Sequence, residues 1–491
     1  MGNKMRTASP RKGVDVYPVH MLDNTKQTRD MLMAWTFRFD APLDAEKLRA
    51  ALARLLDMGD WRKLGGRFQY TKEGKLEIHV PVEFTDKLPP FAYSHNDLSA
   101  TSIDEDPICR RFPKSTQTAR IHARLPEYIQ FAVEPGHPTS FGEYMKRGWP
   151  QLGMRITSFK DATLVGLTWP HTVMDGSGKK ELLAAWSLVL AGREQEVPTL
   201  IGASRDVAWD IAGRYADDEI GQLVVQGRLL TGLARCRFIA KLVWRTITAP
   251  AADVRIFYAP THIIAGFRQE AIDQLPDDPK TGKRPFLSEG DIVAAWLLRT
   301  VVKTEPQPSQ FLLVGALNAR NRVPELQQGT GVYVQNLISL YYAQFPSSVT
   351  DGALATTALS HRLQVAEQAT EHQLVRHFMN KRSEIERKEN GDSLKFYCGE
   401  DDRPVFCNNL SSLRIAAAAD FTPAVLPNED GSYSSGKAVY YHFQSFPVKG
   451  AVPRNSFVIF DKDSSGYWIG ANISKAAWAE IMHDIGVTEV I

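Results

Sequence analysis

The spacing of hydrophobic and polar residues predicts a chain of alternating helices and strands. In the first half, a strand over 36–39 leads to Asp44, which can cap a helix whose apolar residues recur at helical spacing. A second strand over 162–169 is apolar apart from its threonines, so we expect it to be buried on both faces. An apolar helix follows and is closed by Gly192. Residues 84–120 are rich in Pro, Asp and Ser and are predicted to be irregular.

The second half repeats this mixture after a long helical stretch. Helical patterns without strands occupy 193–255, including apolar runs over 223–233 and 236–247. Ser288 is followed three residues later by Asp291, a spacing that resembles a capping box at the start of a helix. The remaining predictions are strands over 76–82, 255–258, 311–317, 332–345, 438–446, 456–460 and 467–473, and helices over 263–275 and after Ser474. Helices segregated from largely antiparallel sheets indicate an α+β fold.

The length and the order of these elements predict two domains. The 491 residues allow roughly two to four domains at about 150 residues each. We assign 1–205 to an N-terminal domain, 206–255 to a helical crossover and 256–491 to a C-terminal domain. Part of 405–450 is expected to pack with the N-terminal domain.

Composition excludes several classes of protein. The formal charge is +2, which argues against bulk attraction to nucleic acid or to an anionic membrane, and we expect neither as a partner. The longest strongly apolar run, near 182–191, is shorter than the roughly 20 residues that span a bilayer. Four cysteines without a Cys-x-x-Cys pair, and a start without an apolar stretch, predict a cytoplasmic protein without a zinc site. His361, His372 and His377 do not share one helix face, so we expect a solvated helix rather than a metal site.

One segment carries candidate chemistry. A buried strand ends at Trp169-Pro170, and His171-Thr172-Val173-Met174-Asp175-Gly176 follows. An imidazole fixed at the end of a strand suits a general base, because its ordinary pKa lies near working pH. Gly176 would permit a positive φ and a close approach of substrate. Alternatively, His171 is a satisfied loop histidine and Asp175 a carboxylate at a helix start.

The same segment resembles the His-x-x-x-Asp-Gly motif of the BAHD acyltransferases, which are CoA-dependent enzymes with a chloramphenicol-acetyltransferase-like fold. Other segments resemble the motifs of that family in the family's order: 64–68 (Leu-Gly-Gly-Arg-Phe), 287–296 with Leu-Ser-x-x-Asp, 317–322, 331–336 and 419–421. The overall pattern is similar to the fungal trichothecene acetyltransferase branch. In place of the family's Asp-Phe-Gly-Trp-Gly, Thr422-Pro423-Ala424 follows Asp420-Phe421, a change in a segment that the family uses structurally.

This resemblance implies two domains with an interdomain tunnel. Acyl-CoA would enter one mouth as a co-substrate, with no permanently bound cofactor, and a small-molecule acceptor would enter the other. His171 would deprotonate the acceptor hydroxyl in a ternary complex, while Asp175 would pair with Arg320 to support the loop. Ser411 or Ser412 would stabilise the oxyanion.

The resemblance also places CoA contacts near the start of one helix. There Lys280, Lys283 and Arg284 form a basic loop before Ser288, and a solvated turn with a capping serine is the alternative. The implied function is O-acetylation of a secondary metabolite by a monomer. N-acylation, transfer from a carrier-protein thioester and a non-catalytic binding protein on the same scaffold are the alternatives.

Overall fold

The computed structural model describes residues 13–114, 116–123, 126–306, 309–327, 331–387, 395–427, 431–446 and 453–490. The strands in these ranges are β1 (Val14–Pro18), β2 (Leu32–Phe39), β3 (Arg67–Tyr70), β4 (Leu76–Pro81), β5 (Ala92–Leu98), β6 (Arg120–Ala123), β7 (Gly153–Phe159), β8 (Thr163–Pro170), β9 (Ala252–Pro260), β10 (Phe311–Asn318), β11 (Ile338–Phe345), β12 (Arg403–Asn409), β13 (Tyr440–Phe446), β14 (Ser456–Lys462) and β15 (Gly466–Ser474). The helices are α1 (Lys26–Asp30), α2 (Ala45–Leu55), α3 (Phe141–Lys146), α4 (Gly176–Leu190), α5 (Val207–Ala212), α6 (Gly232–Thr248), α7 (Thr261–Gln274), α8 (Glu289–Val302), α9 (Ser347–Thr350), α10 (Leu354–Gln368), α11 (Glu371–Glu386), α12 (Ile415–Ala418) and α13 (Lys475–Asp484).

The first half of the chain builds a five-stranded sheet in the order β13-β2-β8-β7-β5. Strand β8 lies at its centre, antiparallel to both β2 and β7, and every residue of β8 is buried. Strand β13, from the second half of the chain, pairs with β2 along its whole length. A small sheet, β1-β4-β3, stands beside it. The centre of the five-stranded sheet is therefore the most enclosed place in this half, and the chain leaves it at Pro170.

The second half builds a seven-stranded sheet in the order β11-β10-β12-β14-β15-β9-β6. Its last strand, β6, comes from the first half and pairs with β9. Each half of the chain thus contributes one strand to the sheet of the other half. Helices α7, α8 and α13 contribute to a separate core on this sheet, which includes Trp296 and Trp478. Within the described ranges, no helix is both long and apolar enough to cross a bilayer.

The predicted α+β class is confirmed, and so are most strands. The helix starts follow from side-chain capping: Asp44 accepts from the Lys47 amide at 2.9 Å, and Ser474 accepts from the Ala477 amide at 3.2 Å. Ser288 and Asp291 form the predicted capping box at the start of α8.

Three predictions of secondary structure are wrong. Residues 84–120 contain strand β5, whose polar residues suit its place at the edge of the sheet. The strand predicted over 332–345 begins only at Ile338. The apolar run 223–233 holds a single turn of 3-10 helix over Gln226–Arg228, and α6 begins only at Gly232, whose φ is +51°.

Candidate active site

His171 stands at the junction of the two halves. It follows directly after β8, and its amide donates to the Met31 carbonyl at 2.8 Å. Its own carbonyl accepts from Asn336 Nδ2 at 2.8 Å. The backbone of His171 is therefore fixed from both sides, by the residue before β2 and by a side chain from the second half of the chain.

Asp175 turns away from the imidazole and binds Arg320. The Arg320 guanidinium donates from Nη1 to Oδ2 at 2.9 Å and from Nη2 to Oδ1 at 3.0 Å. Both side chains are buried, and Asp175 also caps α4 by accepting from the Gly178 amide at 3.0 Å. A bidentate pair of this kind holds both partners in one orientation. The ion pair that the resemblance implied is thus present, and it links α4 to the second half.

Arg320 and Asp175 together hold one irregular segment, Tyr333–Leu337. Arg320 donates from Nε to the Tyr333 carbonyl at 2.8 Å and from Nη2 to the Gln335 carbonyl at 2.5 Å. The Leu337 amide donates to Asp175 Oδ2 at 3.1 Å. Four backbone groups of this segment bind side chains: the Tyr333 and Gln335 carbonyls and the Asn336 and Leu337 amides. These contacts explain why β11 starts only after the segment.

A second carboxylate, Asp23, binds the same segment beside His171. Its Oδ1 accepts from the Asn336 amide at 2.8 Å and from Asn336 Nδ2 at 2.7 Å. The same Nδ2 donates to the His171 carbonyl, so Asn336 bridges Asp23 and the histidine loop. Burial raises the pKa of Asp23 to about 7, against the opposing charge of Lys63. The sequence contained no local signal for Asp23, because its partner lies 313 residues away.

Burial favours the neutral form of the His171 imidazole. Burial lowers its pKa below the ordinary histidine value, and the charge of Asp175 together with the Asn336 side chain partly offsets this. Among the described residues, neither His171 Nδ1 nor Asn336 Oδ1 has a hydrogen-bond partner, and both atoms are buried. A neutral imidazole has a nitrogen lone pair available, which a proton acceptor requires.

A cavity of about 270 Å³ opens at His171. Asn336, the start of β11 and α11 line this cavity. The start of β11 contributes apolar side chains, whereas α11 and the residue Lys395 contribute polar and charged ones: Gln373, His377, Asn380, Lys381, Glu384 and Lys395. The histidine is therefore reached from an enclosed space that is large enough for a small molecule.

The surroundings of His361 on α10 and of His377 on α11 differ from the predicted solvated helix. His377 is half-buried and lines the cavity. His361 is buried and bonds Asp291 and Tyr341 at 3.2 and 3.1 Å, so the prediction of a solvated histidine is wrong there. His361 lies on α10, and its ring contacts Asp291 in the first turn of α8, so a contact distant in sequence decides its burial.

Gly176 plays a different part from the one predicted. Its φ is not positive, because it is the first residue of α4. A Cβ there would meet Leu410 and Leu413 at 3.4 Å, an ordinary contact. Gly178 is the glycine of close approach, since a Cβ at that position would lie 1.9 Å from the Val334 carbonyl oxygen.

The predicted oxyanion residues, Ser411 and Ser412, lie in a turn whose flanking residues Leu410 and Leu413 adjoin Gly176. Ser411 donates its hydroxyl to Asn409 Oδ1 at 2.7 Å, and Ser412 next to it is exposed. A Cβ on Gly290 would lie 3.2 Å from Asn409 Nδ2, so the start of α8 adjoins the Ser411 turn. Neither region is among the residues that line the cavity described above.

The basic loop before α8 is exposed. Lys280 and Lys283 face solvent, and Arg284 pairs with Asp273 at 3.1 Å. The Ser288 hydroxyl donates to Asp291 Oδ2 at 2.6 Å as part of the capping box. In the described ranges, no cluster of side chains suits a metal ion.

No family model matches the chain. It is 32% identical to O-acetyltransferase PaAT-2 of Phomopsis amygdali, over 96% of this chain and 97% of that protein. It is 31% identical to acetyltransferase BOT5 of Botryotinia fuckeliana, over 97% of this chain and 91% of that protein.

Solved structures share the fold at much lower identity. TRI101 of F. graminearum complexed with ethyl coenzyme A superposes with a TM-score of 0.64 at 12% identity, over 96% of this chain and 97% of that one. Vinorine synthase gives 0.55 at 13% identity, over 96% and 93%. The chain belongs to the BAHD acyltransferase family, as its motifs predicted, and it is an acyltransferase.

Proposed function

We propose that this enzyme transfers an acetyl group from acetyl-CoA to a hydroxyl of a small secondary metabolite, with His171 as general base. The observation that carries the proposal is the neutral His171 imidazole at the wall of the cavity, while the neighbouring Asp175 is committed to Arg320. The named acetyltransferases among the relatives and the CoA-bound structures of the same fold support it.

The reaction needs no acyl-enzyme. His171 takes the hydroxyl proton as the acceptor oxygen forms a bond to the thioester carbonyl carbon, and the carbonyl oxygen becomes an oxyanion. When the intermediate collapses, the carbon–sulfur bond breaks and the imidazolium returns its proton to the CoA thiolate. The histidine ends each turnover as it began, so proton and charge balance without a further reactant.

The chain offers two groups for the remaining tasks. We assign oxyanion stabilisation to the Ser411–Ser412 turn, because this turn packs against the start of α4 close to the histidine loop. A donor of this kind is typically worth about 3 kcal/mol of transition-state stabilisation. We assign CoA recognition to Lys280, Lys283, Arg284 and Ser288, because they form a basic loop that leads into the start of α8, and the start of α8 adjoins that turn.

We assign the acceptor to the cavity at His171. Its lining combines apolar side chains with polar and charged ones, which suits a small molecule with a hydrocarbon frame and a polar substituent. We further infer a cytosolic enzyme that acts as a monomer and has no nucleic-acid partner.

Product analysis tests the proposal. The enzyme is incubated with acetyl-CoA and a panel of hydroxylated terpenoids, matched amines and a buffer blank, and products are identified by mass spectrometry. We expect acetyl esters, together with binding of CoA in calorimetry. Amides alone would favour N-acylation. Absence of CoA binding would favour a carrier-protein thioester or a non-catalytic scaffold, and would contradict the proposal.

A further inference from the structure

One strand and one helix provide much of the lining of the cavity at His171. Ile338, Leu340 and Tyr342 line it from β11, and because they are alternate residues they share one face of the strand. The lining residues of α11 recur at helical spacing and so share one face of the helix: Gln373, His377, Asn380, Lys381 and Glu384. The cavity is thus bounded by an apolar strand face and a polar helix face.

The two glutamine side chains of the lining already have hydrogen-bond partners in the protein. Gln373 Oε1 accepts from the Val224 amide at 2.8 Å, and its Nε2 donates to the Gln222 carbonyl at 3.1 Å. Gln368, at the end of α10, accepts from the Tyr342 amide at 2.9 Å and donates to the Tyr342 carbonyl at 3.1 Å. Both amides therefore hold the walls of the cavity together.

The charged side chains of the lining bind one another. Glu384 forms an ion pair with Lys395, and Lys381 Nζ lies 4.0 Å from Glu384 Oε2. The Glu384 side chain is buried, so these pairs are weakly screened by solvent. An anionic group on an acceptor would have to compete with Glu384 for the lysines, which favours an uncharged ligand group at this helix face.

His377 and Asn380 differ from these residues. They lie three positions apart on α11, so their side chains are neighbours on the helix face that lines the cavity. Within the part of the chain that the structure describes, neither side chain has a hydrogen-bond partner. Burial, together with the cations Lys381 and Lys395, lowers the pKa of His377 to about 4, so its imidazole is neutral at working pH. A neutral imidazole and a carboxamide each offer a donor and an acceptor.

We propose that His377 and Asn380 bind a second hydroxyl of the acceptor, one that does not react, so that the preferred substrates are diols or higher polyols. The reacting hydroxyl lies against His171, after β8, whereas this second group is held by α11. A hydroxyl both donates and accepts, which matches the two side chains. An acceptor without it leaves them unpaired, and a site of this kind discriminates against such a ligand. The inference rests on the proposed function, because it concerns the acceptor of the same reaction.

Substrate pairs tested against variants of α11 examine the proposal. The panel contains bicyclic terpenoid diols that differ in the position of the second hydroxyl, the monool of each frame and the matching hydroxy acid, and kcat/KM is measured by release of the CoA thiol. We expect the wild type to favour a diol over its monool by roughly tenfold. His377→Leu and Asn380→Leu should remove this preference by lowering kcat/KM for the diol alone. His377→Gln should keep most of the preference, because it retains a donor and an acceptor.

His372→Leu is the matched control, because His372 lies on the same helix but is exposed and outside the cavity lining. It should match the wild type with every substrate, and all variants should keep wild-type melting temperatures and CoA binding. Equal kcat/KM for diols and monools in the wild type would overturn the inference, as would an equal loss for both in His377→Leu. A preference for the hydroxy acid that Lys395→Gln abolishes would show an anion subsite and would also overturn it. These three results keep ester formation, and so the proposed function, whereas absence of ester from every alcohol would contradict the proposed function and the inference together.

Discussion

The variant Asp175→Asn tests whether the acidic residue of the His171 motif supports the structure or takes part in the chemistry. The carboxylate accepts four hydrogen bonds: two from Arg320, one from the Gly178 amide and one from the Leu337 amide. An asparagine has nearly the same shape, but its amide nitrogen faces two of these donors and the charge opposite Arg320 is gone.

The expected loss follows from burial. Both side chains of the pair are about nine-tenths buried or more. Removing one member of a buried ion pair leaves the other charge without a partner, which costs about 3–5 kcal/mol of folding stability. We therefore expect Asp175→Asn to lower the free energy of unfolding by about that amount, and to reduce acetyl transfer by loosening the loop of His171.

A double-mutant cycle separates this pair from its surroundings. Arg320→Gln is made alone and with Asp175→Asn, and urea unfolding is followed by tryptophan fluorescence. Two residues in direct contact should show a coupling energy of about 1–3 kcal/mol. Acetyl transfer is followed in parallel through release of the CoA thiol.

One outcome would refute the structural role. If Asp175→Asn keeps the wild-type unfolding free energy and yet is as inactive as His171→Ala, Asp175 takes part in the chemistry. A coupling energy near zero would show that the bidentate geometry contributes nothing.

Three further predictions concern the same centre. Because burial lowers the pKa of His171, kcat/KM should stay constant above neutrality and decline only below about pH 6.5, where the base becomes protonated. A pH profile of kcat/KM with its midpoint above that pH would contradict the assignment of His171 as the base. Gly178→Ala should lower the free energy of unfolding by more than about 2 kcal/mol and impair activity, because the added Cβ has no room, whereas Gly176→Ala should be tolerated. Urea unfolding measures both variants, and a larger loss of stability in Gly176→Ala than in Gly178→Ala would contradict this prediction. Asp23→Asn should cost about 1–3 kcal/mol of stability and lower kcat, because Asn336 loses a carboxylate acceptor. If the variant unfolds like the wild type and keeps the wild-type kcat, the contact between Asp23 and Asn336 does not position the histidine loop.

Local sequence signals predicted the elements that present His171. The apolar run of β8 had to be a buried strand, and Asp44, Ser288 and Ser474 marked helix starts through capping, which involves residues only three apart. The motif and its resemblance then identified the histidine. These features were predictable because neighbours along the chain determine them.

Long-range contacts explain what the sequence could not show. Asp23 and Asn336 carry no local pattern, yet they meet across 313 positions to hold the histidine loop. Residues 332–337 look like the start of a strand, but backbone groups of Tyr333, Gln335, Asn336 and Leu337 bind the side chains of Asp23, Asp175 and Arg320. The polar strand β5 was missed because an edge position needs little apolar character.

The kinetics of His171→Ala test the central claim most directly. The variant and the wild type are compared in CoA-thiol release with acetyl-CoA and an accepted alcohol, while calorimetry measures CoA binding and urea measures stability. We predict a fall in kcat/KM of about 10²–10⁴-fold with CoA binding retained, because a general base contributes that much. A variant that folds, binds CoA and stays within about tenfold of the wild type would contradict the claim that this imidazole moves the proton.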